Sequence, residues 1–253
     1  MPSYRRINKL FLLSVFVIAV TTALAVLPNR GRIGSAFTAQ EKTSKGENEE
    51  KEKRPVAIYS APLPSDPVER ALRRARNSRY DNRGIRMDEL PPDTTGRGVL
   101  SHWWEYMPSL PSAESDAVVL GEAVGANAFL SNDKTGAYSE FTIRIEEVLK
   151  DSRRILTPNT SLVAERDGAN VQLPSGRTIL YSIAGQGTPR IGRRYLFFLK
   201  YNDQGEDYSI LTGYELREGR VFPLDEIGHF INYKGADENT FSNAVREAVA
   251  RPR

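Results

Sequence analysis

One stretch limits the fold more than any other. It reads Tyr138-Ser139-Glu140-Phe141-Thr142-Ile143-Arg144-Ile145-Glu146-Glu147-Val148-Leu149-Lys150. Phe141, Ile143 and Ile145 share one side of an extended chain, and Thr142, Arg144 and Glu146 share the other. Successive side chains of a strand point to opposite faces, so this period of two marks a half-buried strand. The alternation breaks at Glu146-Glu147, where a bulge or a tightened strand end accounts for it.

The flanking segments extend the pattern. Val118, Val119 and Leu120 form a short continuous apolar run, as in a strand covered on both faces, and Gly121 marks a bend. Asn132–Gly136 is a turn. Ser161–Glu165 and Val171–Leu173 read as strands around Asp167-Gly168-Ala169-Asn170, a hairpin signal. Arg177–Ile183 is another strand, and Tyr195–Tyr201 (YLFFLKY) is the most apolar, expected to cross the core. Asp207–Leu211, Tyr214–Leu216 and Val221-Phe222 continue the series. Short strands separated by turns at this spacing argue for an all-β sandwich or barrel. Asn239–Arg251 is helical, with Phe241, Ala244, Val245, Ala248 and Val249 on one face and Asn239 or Thr240 as its cap.

Three pieces carry a resemblance: Ser115-Asp116-Ala117-Val118-Val119-Leu120-Gly121-Glu122, Phe141-x-Ile143-x-x-Glu146-x-Val148-Leu149-Lys150, and Pro189-x-Ile191-Gly192-x-Arg194-Tyr195-Leu196-Phe197-Phe198-Leu199. The chain resembles uncharacterised exported bacterial proteins with a barrel of the OB or netrin (metalloprotease-inhibitor)-like type. The likeness covers residues 112–250 and implies a mainly β fold: a small antiparallel OB-like barrel of five or six strands with a C-terminal α-helix. It carries no catalytic residues. Inhibitors of that fold insert an N-terminal cysteine into a protease metal site. This chain has no cysteine, so that mechanism is not implied.

Ahead of the barrel the chain changes character. Arg5, Arg6 and Lys9 precede Leu10–Leu27, an uncharged apolar run of 18 residues expected to form a hydrophobic helix. A basic start before such a run is an export signal, at the lower length limit for spanning a bilayer. Ala23-Leu24-Ala25 is a possible cleavage site, so a cleaved signal and a retained anchor both stand. Either places the rest on the periplasmic or extracellular side. The expected division is 1–36 signal peptide or membrane anchor, 37–99 disordered basic linker, 100–111 aromatic lead-in, 112–237 β-barrel and 238–253 C-terminal helix.

Charge follows the same division. Residues 1–100 hold 18 Lys+Arg against 11 Asp+Glu, and residues 101–253 hold 17 against 21. The basic excess therefore belongs to the N-terminal part, and an acidic core on an exported protein disfavours nucleic acid as partner. Within the linker, Arg70, Arg73, Arg74, Arg76, Arg79, Arg83 and Arg86 face only Glu69 and Asp81 over residues 67–86. They are candidate contacts for an anionic surface, lipid or polyanion, on a short helix capped by Ser65 or Asp66 with Pro67 first. The alternative is a solvated helix or arm. Trp103, Trp104 and Tyr106 are a candidate partner-binding platform or a lid over the barrel.

Catalytic chemistry is sparse in this sequence. His102 and His229 are the two histidines, and neither lies in a nucleophile motif. Adjacent Glu146-Glu147 side chains point to opposite faces of a strand, which suits them poorly for shared acid–base work. No cofactor or metal motif is present. The expectation is a non-enzymatic exported cell-envelope protein whose barrel binds a protein or polymer partner. An adaptor for anionic surfaces through 67–86 is the alternative, and a hydrolase ranks last.

Overall fold

The computed structural model describes residues 54–101 and 105–251. The hydrophobic segment over 1–36, the start of the expected linker, His102, Trp103 and Trp104 lie outside the described residues. The described part is mainly β, with antiparallel pairing and a C-terminal helix. Its strands are β1 (Val56–Ile58), β2 (Gly96–Val99), β3 (Ala117–Leu130), β4 (Ala137–Asp151), β5 (Ser161–Asp167), β6 (Ala169–Gln172), β7 (Thr178–Ile183), β8 (Arg193–Asn202), β9 (Asp207–Arg217) and β10 (Arg220–Pro223). The helices are α1 (Pro67–Ser78) and α2 (Glu238–Ala250).

The opening stretch is β4, and it buries Phe141, Ile143 and Ile145 as its alternation requires. The break at Glu146 is a bulge: Leu120 faces Glu147 while Gly121 faces Ile145, so Glu146 is the extra residue. A Cβ on Gly121 would lie 2.6 Å from the Arg144 carbonyl oxygen, so this close crossing requires glycine. β3 pairs with β4, β4 with β5, β5 with β9, β9 with β8, and β8 returns to β3. The five strands thus close a ring, antiparallel except at β5–β9, and β10 extends it from β9.

Both faces of β8 are covered, which explains its unbroken apolar run. Tyr195, Phe197 and Leu199 join Val119, Phe141 and Ile143 inside the ring. Leu196 and Phe198 point outward with Val118 and pack under α2 through Phe241 and Val245. α2 starts one residue before the expected Asn239, because Asp237 rather than Asn239 or Thr240 is its cap and accepts from the Thr240 N–H at 2.9 Å.

Two expectations need correction. β5 and β6 do not form a hairpin across Gly168. The chain turns there at φ 104°, and β6 leaves the ring to pair with β7 in a second sheet of order β1-β6-β7-β2. Residues 54–99 are also not a disordered linker. β1 runs parallel to β6, β2 runs parallel to β7, and α1 lies between them in sequence. The arm is held by Tyr59 and Met87, packed with Val171, Ile179 and Tyr181. Such anchors stand too far apart to give a hydrophobic period, so composition alone suggested disorder.

Asp66 caps α1 and accepts from the Val68 and Glu69 N–H groups at 2.9 and 2.8 Å. Asp66→Ala is expected to cost about 1 kcal/mol. Denaturant titration of the purified chain checks this, and an unchanged midpoint would mean that the cap adds nothing.

Candidate functional site

The candidate arginines converge on one acidic face of the strand ring. Arg73, Arg76 and Arg79 stand three residues apart, a spacing that places side chains on adjoining turns of one helix face. Each reaches a carboxylate on a different strand. Arg73 pairs with Glu140 of β4 at 2.5 Å, donates to the Tyr138 hydroxyl at 3.0 Å and stacks 3.4 Å from the Phe129 ring centre. Arg76 lies 3.3 Å from Glu140 and 3.2 Å from Asp207 at the start of β9, and donates to the Gly205 carbonyl at 2.8 Å. Arg79 lies 2.5 Å from Glu165 of β5 and 2.8 Å from Asp207. Beneath them Tyr80 stacks on Tyr138 at 4.2 Å, and the Tyr138 hydroxyl donates to Asn77 at 2.8 Å.

The three carboxylates are nearly removed from water, at 8% side-chain exposure for Glu140, 1% for Glu165 and 0% for Asp207. Burial pushes the Glu165 carboxyl up from 4.5 to about 7, although Arg79 and Ser209 hydrogen-bond to it, and burial also raises Asp207. Burial alone would lower the Arg79 guanidinium, but the Glu165 carboxylate outweighs it and holds the group above its ordinary value.

The pH dependence follows from the direction of the Glu165 shift. A carboxyl that holds its proton more tightly when folded stabilises the fold below its unfolded value, and that contribution is lost as pH rises through 7. Stability is therefore expected to increase on the order of 2 kcal/mol between pH 8 and pH 5. Asp88, Asp116 and Asp133 are lowered and act in the opposite sense, but only in more acidic solution. Glu165→Gln should flatten the rise. Denaturation midpoints of both chains at pH 5 and pH 8 check this, and parallel profiles would refute the assignment.

The other candidates are placed differently. Arg70 donates to the Pro64 and Ser65 carbonyls, which braces the start of α1. Arg83 lies 3.8 Å from Asp167, and Arg86 pairs with Asp88 and donates to the Tyr59 hydroxyl. Arg74 is exposed and makes no ion pair among the described residues. An adaptor built on all seven arginines is thereby deprived of Arg73, Arg76 and Arg79, which face the protein and not the solvent. Tyr106 is exposed and does not act as a lid, whereas Met107 and Leu110 of the same lead-in pack beside α2.

A second feature went unseen in the sequence. A cleft of about 680 Å³ opens between the Gly185–Pro189 loop and β9–β10, with Arg190, Tyr195, Glu215, Arg217, Phe222 and Leu224 among its walls. Its loop is fixed from behind by Arg166 and Asp225, a pair with no solvent exposure. Arg166 donates to the Gly187 carbonyl at 2.7 Å and the Ile210 carbonyl at 2.9 Å, besides pairing with Asp225. Asp225 accepts from the Gly187 N–H at 2.9 Å and the Thr212 hydroxyl at 2.8 Å. A Cβ on Gly187 would fall 1.7 Å from the Leu224 carbonyl oxygen, so only glycine fits there. The buried ionic support of the Gly185–Pro189 loop leaves no local pattern in the sequence, since Arg166 and Asp225 stand 59 residues apart.

Among the described residues, no three acidic, histidine or cysteine side chains are placed to hold a metal ion. His229 is exposed on the 3-10 turn Gly228–Tyr233, where its carbonyl accepts from the Ser109 hydroxyl. No helix among the described residues is long and apolar enough to cross a membrane. No family model matches the chain, and no curated protein matches it.

Proposed function

We propose that the chain is a non-enzymatic, exported module of the cell envelope that binds a protein or polymer partner. The reading of the domain as an OB-like barrel is supported by the five-stranded ring and by the long-range return of β9 beside β5, features of a small Greek-key barrel. Export is supported by the basic start before Leu10–Leu27. The observation that carries the binding role is the cleft beside Gly185–Pro189. Its walls set Arg190, Glu215 and Arg217 beside Tyr195 and Phe222, and its loop is held in place by Arg166 and Asp225. A preformed site spends little ordering entropy on association.

The test is site-directed photocrosslinking in cells. A photoreactive residue at Arg190, on the cleft, should give a discrete adduct with an envelope component. The same residue at Arg154, which follows β4 and is not among the cleft walls, should not. Absence of an adduct at Arg190, or equal adducts at both positions, would overturn the proposal.

A further inference from the structure

We propose that the acidic face formed by Glu140, Glu165 and Asp207 is a receptor for arginine-bearing helices, with α1 as its resident occupant. A partner protein that presents a helix with arginines at i, i+3 and i+6 would take its place. This site is separate from the cleft and does not depend on its role.

Three observations lead there. The first is complementarity: carboxylates from three strands receive three arginines from one helical segment. The arrangement recognises a charge spacing, which another helix can present equally well. The second is how α1 is held. Asn77 is its one buried residue, while Val68 is 68% exposed and Ala71 is exposed as well. Ionic and hydrogen-bonding contacts therefore hold the helix itself, and the apolar anchors of the segment, Tyr59, Tyr80 and Met87, lie outside it. The third is an incomplete fit. The Arg79 Nε and Nη1 atoms are buried without a hydrogen-bond partner, which a better-matched helix would relieve.

The face cannot stay bare without consequence. With α1 lifted, three carboxylates would share a small area and repel one another, so a cationic occupant is favoured at neutral pH. The groups that face α1 are the Phe129 ring on β3, the Asn132 amide that donates to the Arg74 carbonyl, Glu140 and Tyr138 on β4, Glu165 on β5, Asp207 on β9 and the Gly205 carbonyl in the β8–β9 turn. Charge matching of this type sets specificity and is weakened by salt.

The experiment uses the full chain and a fluorescent peptide spanning residues 62–84. Anisotropy should show saturable, salt-sensitive binding to the wild-type chain. Binding to an Arg76→Ala chain, whose resident helix is loosened, should be at least tenfold tighter. A peptide with alanine at 73, 76 and 79 should not bind, and Glu140→Gln in the chain should weaken binding. No saturable binding to either chain, or equal binding of the alanine peptide, would overturn the proposal. If Arg76→Ala does not fold, the wild-type chain decides: saturating peptide should speed hydrogen exchange in α1 at least tenfold, and unchanged exchange would refute replacement. A dimer by light scattering with no peptide uptake would mean exchange between two copies, and would also overturn the partner-helix form.

Discussion

Arg79→Ala is expected to lower stability by about 3–5 kcal/mol at pH 8, the cost of leaving a buried charge without its partner. Arg79 faces both Glu165 and Asp207, at 2.5 and 2.8 Å, and those carboxylates have 1% and 0% side-chain exposure. Without the guanidinium, two adjacent carboxylates remain out of water. Arg76 still reaches Asp207 at 3.2 Å but makes no ion pair with Glu165. The loss should shrink at pH 5, because Glu165, already pushed up to about 7, then takes a proton and needs no counter-charge. Arg74→Ala removes an exposed arginine of α1, the helix that Arg79 caps, and is expected to cost less than about 0.5 kcal/mol. Denaturant titrations of both variants at two pH values check this. Equal losses for Arg74 and Arg79 would show that helix propensity, and not the carboxylate face, accounts for the effect.

Arg166→Met is the second large effect, with an expected loss of about 3–5 kcal/mol. Methionine approximates the length of the arginine stem but leaves Asp225 charged and unpaired. Arg166 and Asp225 have no exposed side-chain surface, and between them they hold the Gly187 carbonyl, the Gly187 N–H, the Ile210 carbonyl and the Thr212 hydroxyl. Breaking the pair removes the support of the cleft loop as well as fold stability. Replacing both partners with apolar residues is expected to recover most of the stability, because the uncompensated charge is then gone. The loop carbonyl and N–H of Gly187 would still lack their partners. The double variant should therefore fold but lose the Arg190 crosslink. Thermal unfolding and crosslinking of the single and double variants distinguish stability from loop position. A double variant no more stable than Arg166→Met would contradict this reading.

Side-chain periodicity made the ring strands legible. Phe141, Ile143 and Ile145 declared the buried face of β4, and the interruption at Glu146 marked an irregularity that is a bulge. The continuous YLFFLKY run implied cover on both faces, which the ring interior and α2 supply. The hairpin reading at Gly168 failed because turn residues report a change of direction and do not report which strand the chain joins next. β1 and β2 are three and four residues long, too short to show a period.

The candidate site was half legible for a related reason. The arginines were conspicuous, but their partners were not. Arg73 lies 67 residues from Glu140, and Arg79 lies 128 residues from Asp207. Ion pairs across such distances leave no periodic trace. Glu140 stands on the outward side of the β4 alternation and would read as surface, yet α1 covers it. Asp207 and Asp225 each sit beside another acidic residue in sequence, where nothing marks them as buried, and both are structural anchors.

The most direct test of the ionic clasp is native-state hydrogen exchange of the amides from Arg70 to Arg79. If α1 is held on Glu140, Glu165 and Asp207, these amides should be protected well above an unstructured chain, and Glu165→Gln should change their exchange more than that of α2. Exchange of residues 70–79 at the rate of an unstructured chain would contradict the account, because the arginines would then be free in solution and not bound to the ring.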